Sequence, residues 1–294
     1  MSEKVAVAVD GGPASRAALA WVVDRAVRGE MEVEITTVAG LEAELPGGAE
    51  VDFRTPPEQT LKEAVDLVHS MRPDLAVTTR IRFGLAANAL VRASHGRDVL
   101  VLGTNKTFPI AGILHGTLAL KVAGRAACAT VVVPASWAPA AGSVVVGWRD
   151  DETAASALDA AALEAERTRS ELVIVHSWSP PQLGLMDGGA EQSVIDRLIA
   201  AARRDLAEAA DRIRRDHPSL VVRQEMHTGS AVVALVRAAT GASLVVVGSR
   251  GRGAVAGFFL GSVSHDVLLN MPAPVMVIPG HPAPVDDDAD DENL

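Results

Sequence analysis

The chain's 294 residues are enough for two domains of about 150 residues each, and with 48% apolar and 22% charged residues each half can bury its own core. The net charge of −10 owes six acids to Asp286–Glu292, leaving the rest at about −4. Such an acidic body, with four Trp, five Phe and no Tyr, argues against nucleic-acid binding, which needs basic faces and stacking rings. The single cysteine, Cys128, rules out a disulfide framework and a cysteine metal cluster, and its alanine-rich setting reads as a buried structural thiol. The N-terminus enters a strand pattern at once, without the charged and apolar regions of a signal peptide. No uncharged apolar run approaches the ~18 residues of a membrane span. A soluble cytoplasmic protein with no membrane contact is expected.

In chain order, Val5–Val9 is a valine-rich buried strand, and Ala14–Arg28 follows with Ala17, Leu19, Ala20, Val23 and Val27 at helical spacing. MEVEITTV is a second strand. After a Gly/Pro-rich gap, Glu58–Met71 is an amphipathic helix with Leu61, Val65 and Val68 on one face. LAVTTRIRF is a third strand, Leu85–Ser94 a helix, DVLVLG a fourth strand, Gly116–Ala127 a helix and TVVVPA a fifth strand. The order then repeats as SVVVGW, Glu152–Thr168, ELVIVHSW, Glu191–Asp216, LVVRQEMH, Ala231–Thr240, SLVVVGS, Gly261–Asn270 and PVMVIP.

The repetition is one unit written twice. Gly103 and Gly248, Gly116 and Gly261, and Pro134 and Pro279 are all 145 residues apart, while KVAVAVDGGPAS aligns with SVVVGWRDDETA at an offset of 139. The expected organisation is a domain over 1–135, a linker over 136–142, a second domain over 143–279 and an acidic tail over 280–294, the tail read as solvation. Strands alternating with helices predict an α/β fold: two tandem doubly wound domains, each a five-stranded parallel sheet of order 3-2-1-4-5 with helices on both faces.

In an open parallel sheet, ligands bind beyond the carboxyl ends of the strands where strand order reverses. Here that point lies between strands one and four of each repeat, near Asp10 and Gly103 in the first and near Gly248 in the second. The second loop reads Gly248-Ser-Arg-Gly251, nine residues, then Gly261-Ser262. Gly248 and Gly251 permit positive φ and close backbone approach. The helix opened by Gly261 and Ser262 offers unpaired N–H groups and the positive end of a dipole to an anion, Ser262 adds a hydroxyl, and Arg250 and Arg252 add charge. A serine N-cap on a plain βα loop is the simpler alternative. There is no P-loop, no HExxH and no paired-cysteine motif. Ser262, His265 and Asp266, at i, i+3 and i+4 of one helix, read as a cap and exposed polar positions rather than a triad. The remaining histidines, His176 among them, are scattered and read as surface or loop residues.

With these motifs the chain resembles the universal stress protein family in its tandem-domain form, over nearly Met1 to Pro279. The resemblance rests on Gly248, Gly251, Gly261 and Ser262, which match the family's G-x-x-G-(nine residues)-G-[S/T] loop, and on Asp10, which matches its aspartate at the end of strand one. It implies ATP binding, with Mg²⁺ as a companion ion, and pairing through strand five, either between the two repeats or in a homodimer. The nucleotide-binding positions it marks are Asp10, Gly103, Gly116 and Thr117 in the first repeat and Gly248, Gly251, Gly261 and Ser262 in the second. Each repeat departs from the pattern once. Lys106 replaces the second glycine in the first loop, where a positive-φ lysine is strained by ~1 kcal/mol or more. Arg149 stands at the Asp10 position of the second, with Asp150 and Asp151 beside it.

The expected function is therefore an ATP-binding regulatory stress-response protein whose nucleotide state a protein partner reads. Hydrolysis is expected to be absent or very slow, since no residue has the setting of a catalytic base or an arginine finger. No catalytic or metal residue is assigned. The alternatives are a non-nucleotide interaction protein with degenerate sites, favoured by Lys106 and Arg149, and an ATP-dependent transferase.

Overall fold

The computed structural model describes residues 2–40, 56–105, 117–179, 188–249 and 260–280. Its first half runs β1 (Glu3–Ala8), α1 (Pro13–Ala26), β2 (Met31–Ala39), α2 (Pro57–Met71), β3 (Val77–Phe83), α3 (Ala86–Ala93), β4 (Val99–Thr104), α4 (Thr117–Ala123) and β5 (Ala129–Pro134). The second runs β6 (Val144–Gly147), α5 (Glu152–Thr168), β7 (Leu172–Trp178), α6 (Gly188–Asp216), β8 (Val222–Thr228), α7 (Ala231–Ala238), β9 (Leu244–Gly248), α8 (Ser262–Leu269) and β10 (Val275–Ile278). Among the described residues no helix is long and apolar enough to cross a membrane.

All strands lie in one ten-stranded sheet of order β3-β2-β1-β4-β5-β10-β9-β6-β7-β8. Each half reproduces the order 3-2-1-4-5, and every pairing within a half is parallel. The halves join where β5 and β10 pair antiparallel, so two sheets become one and neither fifth strand is left as an edge. The inner strands are buried on both faces, which is why they read as unbroken valine runs: Val5, Ala6 and Val7, like Val144, Val145 and Val146, have no exposed surface. One apolar layer, with Leu19, Ile35, Val68, Leu158 and Ile213, lies under α1, α2, α5 and α6. The other, with Leu90, Leu102, Val122, Leu235 and Val267, lies under α3, α4, α7 and α8. Cys128 sits in the second layer, where burial pushes its thiol up to about 12. The sequence reading of a buried structural thiol matches this placement.

The seam carries a pseudo-twofold axis. Val131 pairs with Met276, its equivalent 145 residues on. One layer away, Arg25 of α1 meets Glu164 of α5, its equivalent 139 residues on, with Nη1–Oε2 2.8 Å and Nη2–Oε1 2.6 Å. Arg25 also grips Glu3 at 2.6 and 2.9 Å and lies over the Trp21 ring at 5.2 Å. Two identical halves would set like charges against each other at this point; the two repeats set opposite ones.

Candidate functional site

Each half opens its first helix against the end of its fourth strand. A Cβ added at Gly103 would lie 2.1 Å from the Ala14 carbonyl oxygen, and one at Gly248 would lie 2.5 Å from Thr153 Cγ2. Both glycines are therefore required by the seating of α1 and α5. Neither is among the positive-φ glycines, which in the described residues are Gly11, Gly84, Gly96, Gly229 and Gly241. The sequence reading let Gly248 take a positive φ and a close backbone approach to a ligand. The structure corrects this, because Gly248 ends a strand and the close neighbour is protein. Gly251, Gly116, Lys106, Arg250 and Arg252 fall outside the described residues.

In the second half, the ends of β9 and β10 and the start of α8 converge on Ser249. Its backbone N–H donates to the Ile278 carbonyl at 2.8 Å, and its carbonyl accepts from Gly261 N at 2.8 Å. Its hydroxyl oxygen accepts from Gly280 N at 2.8 Å. Ser264 Oγ ties the first turn of α8 to the Gly248 carbonyl at 2.5 Å. Gly261 is the N-cap of α8, without a side chain to satisfy the first-turn amides, and Ser262 follows it, exposed, as the first helical residue. Ser262 is thus not the N-cap. Among the described residues no side chain caps the first-turn N–H groups of α8, which lie with the Ser262 hydroxyl at the switch point between β6 and β9. His265 Nδ1 and Asp266 Oδ1 are 3.0 Å apart, both about half exposed, and Ser262 has no hydrogen bond to either, so no triad forms. Thr117 opens α4, the counterpart helix in the first half.

The far end of the site differs between halves. In the first, Asp10 lies just past β1. Its Oδ1 accepts from Gly12 N at 2.9 Å and lies 2.8 Å from Ser15 Oγ, in a turn that Gly11 enters at φ +79°. No protein donor among the described residues reaches Oδ2, so an exposed acceptor remains. In the second, Arg149 holds that position and donates through Nε (2.8 Å) and Nη2 (2.5 Å) to Asp151 Oδ2. Asp151 is in turn the N-cap of α5, its Oδ1 accepting from Ala154 N at 2.9 Å. The carboxylate has moved two residues along and caps the helix, so it does not replace Asp10.

Two residues beside Arg149 escaped the sequence reading. His176, at the end of β7, lies with Nδ1 3.1 Å from the Trp148 carbonyl oxygen. A carbonyl only accepts, so Nδ1 carries the proton in this contact. The Trp148 and His176 rings lie 5.7 Å apart and tilted by 60°. A partial signal was available, since His176 directly follows the buried run Leu172–Val175 and Trp148 comes one glycine after Val144–Val146, at the carboxyl ends of parallel strands. Among the described residues no group of three or more His, Cys, Asp or Glu is placed to hold a metal ion.

The model of the universal stress protein family matches residues 1–134 and again 142–279. The chain belongs to the universal stress protein family. It is 28% identical over 290 residues to a universal stress protein of Mycobacterium tuberculosis, covering 93% of this chain and 96% of that one. It is also 28% identical over 291 residues to one of Mycolicibacterium smegmatis, with the same coverage. A universal stress protein of Archaeoglobus fulgidus superposes with a TM-score of 0.67 at 20% identity, over 95% of this chain and 99% of that one, which shows the shared tandem fold. Members of this family with two domains in one chain thus include proteins of nearly this length.

Proposed function

We propose that this member of the universal stress protein family is a cytoplasmic ATP-binding regulatory protein with little or no hydrolysis. The observation that carries the reading is the uncapped first turn of α8, Gly261 and Ser262, brought to the end of β9 at the switch point. An anion bound there gains several amide donors and the helix dipole. In the first half, Asp10 Oδ2 is an acceptor suited to a base amino or ribose hydroxyl group, and Thr117 starts the helix that would face the phosphates. Arg149, held on Asp151, offers the second half a donor where the first offers an acceptor. Mg²⁺ would neutralise the phosphates, and the bound state would be read by a protein partner, with the paired repeats or a homodimer as the unit recognised.

The test is calorimetry with ATP on the full chain. Gly261→Glu places a carboxylate against the phosphates at a φ of −60° that any residue adopts. The substitution should weaken ATP at the second-half site at least tenfold. A second reading, an interaction protein that binds no nucleotide, is favoured by the Arg149–Asp151 pair that fills the second half's far end; absence of saturable ATP binding would establish it.

A further inference from the structure

One face of the first half is basic, although the chain as a whole carries a net charge of −10. Three arginines converge there on one buried carboxylate, Glu34 of β2: Arg82 Nη2 at 2.7 Å, Arg97 Nη2 at 2.6 Å and Arg80 Nε at 3.4 Å. Glu34 alternates along β2 with Val33 and Ile35, which belong to the apolar layer under α1 and α2. The cluster therefore lies on the α3 and α4 side of the sheet. Glu34 balances one charge of the three, and the Arg80 side chain is 61% exposed. Arg92 of α3, Lys121 of α4 and Arg125 just past α4 are exposed on the same side, and Arg125 Nη1 lies 2.9 Å from Asn88 Oδ1 of α3. Glu32 and Asp98 are the acids close by, and they leave the cations in excess.

The second half has the same fold without this face. At an offset of 145, Arg80, Arg82, Arg97, Lys121 and Arg125 become Glu225, His227, Ala242, Asp266 and Asn270, while Arg92 keeps its charge as Arg237. Glu34 becomes Val173 at the offset of 139. The fold thus does not require these cations, and their gathering on one repeat calls for a partner of opposite charge.

The chain carries such a partner where it can reach. The six acids of Asp286–Glu292 follow Gly280 by six to twelve residues. Gly280 comes just after β10, with its N–H on Ser249 Oγ. Because β10 runs antiparallel to β5, with Val277 opposite Thr130, the chain leaves the second half beside the start of β5. A Cβ added at Gly124, just past α4, would lie 3.4 Å from Leu260 N, so the end of α4 borders this exit. At about 3.3 Å per residue the acidic run reaches about 20–40 Å from Gly280. Crossing from β10 over β5, β4 and β1 to β2 takes about 20 Å.

We infer that the α3 and α4 side of the first half is the docking surface of the chain's own acidic run, Asp286–Glu292. Each exposed ion pair is weak, but six acids on one run act together, and the chain connection holds them at an effective concentration of about millimolar. The docked run ties the second half to the first and closes this face to other polyanions.

The test is zero-length carbodiimide cross-linking of the full chain, read by peptide mass spectrometry. The reagent condenses a carboxylate and an amine in contact into an amide, with loss of water taken up by the carbodiimide. Lys121 stands on the basic face, and Lys62, exposed on α2, is the control on the opposite side. At about 0.05 M salt the acidic run should join Lys121 at least about fivefold more often than Lys62, and the Lys121 product should fall at least about fivefold by about 1 M, where the screening length is about 3 Å. Arg80→Gln combined with Arg125→Asn, the second of which installs the residue of the other repeat, should lower that product at least about threefold with the circular dichroism unchanged. The inference is overturned if the run joins neither lysine or both equally, if the Lys121 product survives about 1 M salt, or if the double variant cross-links as the parent does. Mixing isotope-labelled with unlabelled chain separates the remaining case: products that always carry one chain of each kind would give the surface to a second copy's run and overturn docking within one chain.

Discussion

Glu164→Leu tests the axis at the seam. Glu164 is buried on α5 and accepts from Arg25 and Arg167. Removing its charge leaves Arg25 with Glu3 alone and Arg167 with no carboxylate. Breaking a buried pair by deleting one partner costs about 3–5 kcal/mol, because the other charge stays desolvated. With a urea slope of about 3 kcal/mol/M, the midpoint should fall by about 1–1.7 M. Pairing it with Arg25→Leu removes both charges, and apolar replacement of a whole buried pair is often neutral, so the double variant should recover at least half of the loss. The assay is urea unfolding followed by circular dichroism, with Trp fluorescence as a second probe for coincidence. A single variant that loses less than about 1 kcal/mol would refute the reasoning, since that is the scale of exposed pairs. A double variant no better than the single one would also refute it.

Glu164 predicts a pH dependence as well. Burial alone raises its pKa, but Arg25 and Arg167 outweigh this and hold it below 4.5. Its contribution is thus present above that value and lost as pH falls through the lower folded one; Glu164→Gln should flatten acid unfolding measured below about pH 4.5. Gly103→Ala forces a Cβ onto the Ala14 carbonyl and should cost about 1–3 kcal/mol by thermal unfolding, with α1 displaced. Asp10→Ala removes both the turn's acceptor and the free Oδ2; in calorimetry it should weaken ATP about tenfold in the first half and leave the second-half site unchanged.

The fold was legible because its signals are local. Valine runs such as Val144–Val146, short, β-branched and bounded by turn residues, read as strands buried on both faces, and the two fixed offsets mark the repeat. The joining of the halves into one sheet was reached only through the family resemblance, since an antiparallel contact between β5 and β10 leaves no periodicity in either strand. At the site, Gly103 and Gly248 each pack against the start of a helix, which the sequence could not show: it marks where a side chain is excluded, not what excludes it. Asp151 as a cap holding Arg149 is a local arrangement, spanning two and three residues, that the sequence reading passed over, whereas Trp148 and His176 could not be paired because their contact depends on how neighbouring strand ends converge.

Direct calorimetric titration of the full chain with ATP, run beside Gly261→Glu, bears most directly on nucleotide binding at the strand ends. The account predicts saturable binding to the parent and a second-half site weakened at least tenfold by the added carboxylate. Parent protein that shows no saturable binding at about 1 mM ATP, or a variant that binds every equivalent as the parent does, would contradict it.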